Sequence, residues 1–278
     1  MHPILIDFGF VDLPFLGSTH LFVPTYGVLF ASAVVLAWAW FVRRARGLGL
    51  AEERLFNLTF FSLLAGIFGA KLLLIVVDWE QYLAHPAEIL GTIRSAGVLI
   101  GGVAAGALTF ALYSRRHGLP LWALADAIAA PLALAQAIGR LGCFAGGCCW
   151  GIPLDPRHWL AVVFESQQAH ELTGVPLHDP RLAIQLIEAG FDLALVALLT
   201  LLWRRRVGPP GSVFWVYALV YSVGRTLLEE GRGDLHRGLY FGGAVSTSQL
   251  LSLGVAAFAI AMLVRGLRLR RNARLSSA

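Results

Sequence analysis

The chain has 278 residues, of which 57% are hydrophobic and only 14% are charged, with a formal net charge of +5. Its mean hydropathy of +0.70 excludes an ordinary soluble domain, in which about a quarter of the residues are charged. The arginines that give the positive balance lie in short runs beside apolar stretches. That placement is typical of membrane anchoring and argues against a nucleic-acid partner.

Seven apolar segments follow one another along the chain, and each is long enough to cross about 30 Å of hydrocarbon. They are residues 24–42, 55–77, 97–114, 121–139, 182–203, 212–230 and 247–265. We therefore expect an all-α integral membrane protein with about seven transmembrane helices. The whole chain, 1–278, would form a single transmembrane domain.

Basic runs follow the first, third, fifth and seventh of these segments. They lie within residues 43–46, 115–116, 204–206 and 265–274. Because cytoplasmic loops carry an excess of arginine and lysine, this pattern places the N-terminus outside and the C-terminus in the cytoplasm. The long loop 140–181 then becomes a small extracytoplasmic cap, inserted between spans four and five.

Two small-residue runs lie within the second and third spans, at 66–69 and 101–106. Small residues let the backbones of membrane helices approach closely. We expect these runs to support helix packing, since no lysine of the kind found in phosphate-binding loops follows them.

Two glycine-flanked arginine motifs lie at the outer ends of apolar segments: residues 139–142 (GRLG) and 224–232 (GRTLLEEGR). An arginine at mid-bilayer costs roughly 2.5–3.5 kcal/mol even on lenient insertion scales, so such residues usually mark function. The planar guanidinium also binds two phosphate oxygens at once. The motifs predict a pocket for an anionic lipid head group on the outer face.

Further motifs, in the same order along the chain, resemble those of the bacterial prolipoprotein diacylglyceryl transferases, and the likeness covers nearly the whole length. The matching positions are Tyr26-Gly27, the segment 139–151 (GRLGCFAGGCCWG), Gln185-Leu186 with Glu188, the set Arg225, Glu229, Arg232 and Asp234, and Ser248-Gln249.

The resemblance implies an enzyme of the bacterial inner membrane that transfers the diacylglyceryl group from phosphatidylglycerol to the lipobox cysteine thiol of a prolipoprotein. Glycerol-1-phosphate would leave. Its partners would be phosphatidylglycerol, prolipoprotein signal peptides with a lipobox cysteine, and membrane lipids. No cofactor and no metal are expected, and we expect a monomer.

The resemblance also implies roles for individual residues. Arg140 and Arg225 would clamp the phosphate, Arg232 would be a third cation or a gate residue, and Glu229 would orient Arg225 or Arg232. Substrate-binding roles are implied for Tyr26, Lys71, Gly139, Gly142, Gln185 and Glu188. Lys71, the only lysine of the chain, otherwise extends its amine to the membrane surface.

The chain departs from the family pattern at several positions. Gly101 stands where the family usually has histidine or tyrosine, and Leu182-Ala183 where it has His-Pro. Cys143 and Cys148 replace polar residues of the signature, and Cys149 follows. These cysteines could form a disulfide or pack structurally, act as free thiols in the site, or carry out thiol chemistry.

Two other functions therefore stay open. An altered relative could bind or transport anionic phospholipid with the same arginines, without catalysis. A membrane thiol-redox protein could use the three cysteines.

Overall fold

The structure, a computed structural model, describes residues 2–13, 17–86, 88–92, 97–234, 238–240 and 245–276. Helices dominate it. In chain order they are α1 (Thr25–Arg46), α2 (Glu52–Val77), α3 (Trp79–Ala84), α4 (Glu88–Gly91), α5 (Leu99–Arg116), α6 (Leu121–Gly146), α7 (Gln167–Thr173), α8 (Ile184–Arg204), α9 (Ser212–Leu228), the 3-10 turn η1 (Glu229–Gly231) and α10 (Thr247–Ser276).

Each of the seven predicted spans coincides with one long helix: α1, α2, α5, α6, α8, α9 and α10. Within the described residues, five of these helices are long and apolar enough to cross a membrane, namely α1, α2, α6, α8 and α10. This result confirms a mainly helical membrane protein. The count of seven crossings stays a prediction.

A β-hairpin precedes the first helix and was not predicted from the sequence. It consists of β1 (Ile4–Leu13) and β2 (Gly17–Pro24), paired antiparallel. Branched and aromatic side chains, which favour strands, alternate along β1, and Phe8 and Phe10 are exposed. The hairpin was not predicted because mean hydropathy does not detect the two-residue alternation of side chains along a strand.

The described chain divides into two compact units, and the smaller spans Phe41–Leu124. There α2 packs against α5 through the predicted small-residue runs. A methyl group added to Gly101 would lie 2.6 Å from Cβ of Leu73 and would overlap the carbonyl oxygen of Gly69. The expectation of close packing is confirmed. It also explains Gly101 physically, because the histidine or tyrosine of the family would not fit this contact.

The larger unit comprises Met1–Trp40 and Ala125–Ala278. Helices α6, α8 and α9 share one core, formed by Ala129, Ala130, Ala133, Leu195, Leu199 and Val213. At the start of α9, the Asp126 carboxylate accepts hydrogen bonds from the backbone N–H groups of Gly211 (2.6 Å) and Phe214 (2.8 Å). A side chain of α6 thereby caps α9, which fixes these two helices to each other.

A small irregular segment follows α6, built around Phe164, Ala169 and Val175. Its strand β3 (Ala161–Val162) pairs with β4 (Arg181–Leu182). Ser166 caps α7 through a 3.2 Å bond from the backbone N–H of Ala169. The small extracytoplasmic cap was predicted to begin at residue 140. In the structure α6 continues to Gly146, so residues 140–146 are helical and belong to α6. Farther along, β5 (Leu239–Tyr240) pairs with β6 (Val245–Ser246).

Candidate functional site

Three arginines from separate elements converge on one buried carboxylate, that of Glu188. Nη1 of Arg140 lies 3.1 Å from Oε2 of Glu188, and Nη1 of Arg225 lies 3.4 Å from Oε1. Nη1 of Arg232 lies 4.0 Å from the same Oε1. The Glu188 side chain is 3% exposed. We call these four residues the arginine cluster.

Local helix geometry places the members of the cluster. Glu188 lies near the N-terminal end of α8, whereas Arg140 and Arg225 lie toward the C-terminal ends of α6 and α9. Nη2 of Arg225 also pairs with Oε2 of Glu229 at helical i, i+4 spacing. Arg225, one of the two arginines that Glu229 was expected to orient, forms this ion pair with it.

Arg232 is held more firmly than the other two arginines. Its Nε and Nη2 form a bidentate pair with Asp234, at 2.9 and 2.7 Å. Its backbone forms a β-bridge with Gly151. On either side, N–H of Ile152 donates to O of Gly231 (3.0 Å) and N–H of Gly233 donates to O of Trp150 (2.9 Å). Arg232 therefore ties the turn after α9 to the segment after α6.

A small cavity opens beside the cluster. Its lining consists of Arg140, Glu188, Phe191, Asp192, Tyr221, Arg225 and Leu228. Arg140 and Arg225 border this space, whereas Arg232 is not part of the lining. The cavity thus presents two guanidinium groups together with a carboxylate pair and aromatic walls.

Two polar residues of this lining were not predicted from the sequence. Asp192 is 2% exposed, and its Oδ1 has no hydrogen-bond partner among the described residues. Tyr221 is the second. Asp192 follows Glu188 by four residues, and Tyr221 precedes Arg225 by four, so each lies on the same helix face as a predicted site residue. Helical spacing applied to the motifs would have found both.

Tyr26 and Gly142 lie against each other where α1 meets the end of α6. A methyl group on Gly142 would lie 3.1 Å from Cδ2 of Tyr26, so the glycine permits this close approach. Tyr26 also interacts electrostatically with Arg140. Gly139 is different, because an added methyl group there would meet no atom within 4 Å. Packing therefore does not explain Gly139.

Gln185 links α8 to the cysteine segment. Its side chain is fully buried, and Nε2 donates a 2.8 Å hydrogen bond to the carbonyl oxygen of Cys148. The hydrogen bond connects α8 to the cysteine segment, and a substrate-binding role for Gln185 stays a prediction.

The three cysteines are free thiols, not the disulfide considered above. Their sulfur atoms all lie within 4.8 Å of one another, and we call Cys143, Cys148 and Cys149 the thiol cluster. Hydrogen bonds from Cys143 and Cys148 hold the pKa of Cys149 below its usual value, and the charges of Arg232 and Arg140 act in the same direction. Hydrogen bonds with Cys143 and Cys149 raise the pKa of Cys148.

Lys71 belongs to the smaller unit. There its Nζ donates a 2.5 Å hydrogen bond to the carbonyl oxygen of Thr92. Its role toward a lipid head group stays a prediction.

Comparison with known proteins identifies the family of this chain. Residues 15–265 match the family model described as prolipoprotein diacylglyceryl transferase. A Clostridium perfringens phosphatidylglycerol–prolipoprotein diacylglyceryl transferase is 31% identical over 83% of this chain and 86% of its own length. Proteins of the same name from Clostridium tetani (32%; 82% and 87%) and Synechococcus elongatus (30%; 91% and 86%) are similar. The chain carries the arginine cluster in a helical membrane scaffold and belongs to the prolipoprotein diacylglyceryl transferase family.

Proposed function

We propose that this chain transfers the diacylglyceryl group of phosphatidylglycerol to the lipobox cysteine thiol of a prolipoprotein. One observation carries the proposal: Arg140 and Arg225 border a single small cavity, held there by the buried Glu188. Membership of the family supports the same reaction. The membrane supplies the lipid substrate, and the signal peptide of the prolipoprotein brings the nucleophile.

The reaction exchanges a carbon–oxygen bond for a carbon–sulfur bond and moves one proton. The thiolate sulfur of the substrate attacks the glyceryl carbon that carries the phosphate ester, and a carbon–sulfur bond forms. The carbon–oxygen bond to phosphate breaks, and the proton lost by the thiol ends on the released glycerol-1-phosphate. Negative charge gathers on the leaving phosphate, so preorganised cations beside it lower the barrier.

Arg140 is the arginine best suited to bind that phosphate. Its ion pair within the described residues uses Nη1 and a single carboxylate. Arg225 meets two carboxylates, those of Glu188 and Glu229, and Arg232 is bound by the fork of Asp234. A guanidinium with open donors forms charge-assisted bonds to phosphate most readily.

Asp192 is our proposed acceptor for the thiol proton. Its carboxylate lines the same cavity, and Oδ1 is without a hydrogen-bond partner in the described part of the chain. A general base must lie within hydrogen-bond reach of the proton that it removes. A substrate thiol seated in this cavity would meet that condition.

We also propose seven crossings of the bacterial inner membrane in one domain, 1–278, with an outer cap that begins after the end of α6 and runs from residue 147 to residue 181. Arg140, Glu188 and Arg225 come together although they lie at opposite ends of successive helices, as alternating crossings require. The basic runs end α1, α5, α8 and α10, which is consistent with a cytoplasmic side there. Reporter fusions within 115–120 and 204–211 should read cytoplasmic, and an external reading at either would refute this topology.

The activity is tested with the purified chain, phosphatidylglycerol and a peptide bearing a lipobox cysteine. Arg140→Ala should lower thioether formation about 10²–10³-fold, the usual effect of removing one charge-stabilising donor. Arg140→Lys should also fail, because an ammonium cannot reproduce the fork. Arg181→Ala is the matched control, since Arg181 is equally shielded but pairs with Asp179 outside the cluster. Equal turnover in Arg140→Ala and the control would refute the assignment.

Binding without catalysis predicts a different result. A phospholipid-binding protein would retain phosphatidylglycerol on the wild-type chain but give no thioether product. Complementation of a strain depleted of its own transferase separates the two functions in cells, because only an active enzyme restores lipoprotein modification.

A further inference from the structure

The thiol cluster is the strongest group of metal-ligating side chains in the described residues, and the proposed reaction does not use it. The attacking thiol of that reaction belongs to the substrate. Cys143 lies on the last turns of α6, whereas Cys148 and Cys149 lie beyond its end. The backbone N–H of Cys148 donates to the carbonyl oxygen of Cys143 at 3.0 Å, which turns the chain back toward the helix.

The backbone of this turn is folded so that the three sulfur atoms lie close together. Cys149 has a φ of 59° and Gly147 a φ of 76°, both in the left-handed region. A non-glycine residue in that region is uncommon and is held there only when its surroundings impose the conformation. The strained conformation of Cys149 brings its sulfur to the other two, within 4.8 Å.

These distances suit a shared metal ion. Ligand bonds of about 2.3 Å from sulfur to metal place coordinating sulfurs roughly 4 Å apart. The thiol cluster reaches that spacing with small side-chain adjustments. Thiolate is the coordinating form.

We propose that Cys143, Cys148 and Cys149 form a three-sulfur site for a soft monovalent cation of the Cu(I) type. Soft thiolate ligands select Cu(I), whereas structural zinc sites are almost always four-coordinate. Within the described residues the group contains no fourth histidine, cysteine, aspartate or glutamate. Binding releases the thiol protons to solvent and leaves the oxidation state of the metal unchanged. This proposal departs from the expectation, made from the sequence, of no metal.

The site would join the end of α6 to the segment that pairs with Arg232. Trp150 and Gly151, directly after the thiol cluster, bond to Gly233 and bridge to Arg232. A bound cation would therefore stiffen the connection between the thiol cluster and the turn after α9.

The test uses the reduced, full-length protein in detergent under anaerobic conditions, titrated with Cu(I) against a chromogenic Cu(I) chelator. We expect one Cu(I) per chain and three sulfur neighbours by X-ray absorption. The chain contains three cysteines in all, so thiol-dependent binding reports on this cluster alone. Cys143→Ser, Cys148→Ser and Cys149→Ser should each weaken binding by more than about 100-fold, since even outer-shell changes cost 10–100-fold. The control His158→Ala removes an exposed histidine of the same segment and should bind as the wild type does.

A second measurement needs no variant. Cu(I) should protect all three cysteines of the wild-type chain from alkylation, as read by mass spectrometry of peptides. Alkylation of any one of them at saturating Cu(I), unchanged affinity in a single serine variant, or tighter binding of Zn(II) than of Cu(I) would overturn the proposal. None of these results depends on transferase activity, so the site and the proposed function can fail separately.

Discussion

Replacing Glu188 by glutamine tests whether the arginine cluster holds the larger unit together. The change keeps the shape of the side chain and an oxygen acceptor but removes the charge that faces Arg140, Arg225 and Arg232. The Glu188 side chain is 3% exposed and the three arginine side chains are 8–19% exposed, so water does not replace the lost partner well.

The expected magnitude follows from this burial. Removing one partner of a buried ion pair typically costs 3–5 kcal/mol, because the remaining charge is left uncompensated. The glutamine oxygen still accepts a hydrogen bond, which favours the lower end, about 3 kcal/mol. For a chain of this size, 1 kcal/mol corresponds to a change in Tm of about 2–4 °C. Glu188→Gln should therefore lower Tm by roughly 6–12 °C.

Thermal unfolding of the purified protein in detergent measures this change. Glu165→Gln is the matched control, because Glu165 is exposed and exposed substitutions usually stay within about 0.5 kcal/mol. A double-mutant cycle with Arg140→Gln should give a coupling of about 0.5–3 kcal/mol. A Tm of Glu188→Gln equal to that of the control would refute the reasoning.

Three further changes probe other parts of the larger unit. Asp192→Asn should lower turnover about 10²–10⁴-fold, as loss of a general base does, with no loss of Tm; unchanged turnover would exclude Asp192 as the base. Gly139→Ala should raise or preserve Tm, since an alanine favours the helix by up to about 1 kcal/mol. The same change should slow transfer if lipid contacts this face of α6. The control Gly254→Ala is equally free of packing contacts and should leave transfer unchanged. Asp126→Ala should cost about 1–2 kcal/mol by removing the cap of α9, and an unchanged Tm would contradict that cap.

The helices could be predicted because membrane insertion depends on apolar length, a property of contiguous sequence. The packing of α2 on α5 was also predictable, because small residues such as Gly101 let the backbones of two membrane helices approach closely. The hairpin before α1 was missed because its aromatic residues, Phe8 and Phe10, contribute to a short strand and not to a span.

The contacts within the site needed the fold. Arg140 and Glu188 are far apart in sequence, and no local pattern states that the end of α6 lies beside the start of α8. The family resemblance named both residues, but it did not give their 3.1 Å ion pair. Asp192 lies outside all the sequence motifs. In the sequence, only its position on the same helix face as Glu188 indicates that it lines the cavity.

The balance of charge in the cluster has a consequence for substrate binding. Arg140, Arg225 and Arg232 face the carboxylates of Glu188, Glu229 and Asp234. Uncompensated buried arginines would cost several kcal/mol each, so the carboxylates keep the cations in place without substrate.

An arriving phosphate must then compete with Glu188 for Arg140. Glu188→Gln should therefore bind glycerol-1-phosphate more tightly than the wild type, even though the variant is less stable. Near a protein surface, a pair of unit charges 4 Å apart interacts by about 4 kcal/mol. Removing a competing interaction worth a quarter of that energy would raise the affinity for glycerol-1-phosphate about fivefold. Isothermal titration at a temperature below both unfolding transitions measures it. Weaker binding by Glu188→Gln would mean that Glu188 holds the guanidinium groups in their binding geometry, and that this positioning outweighs the competition.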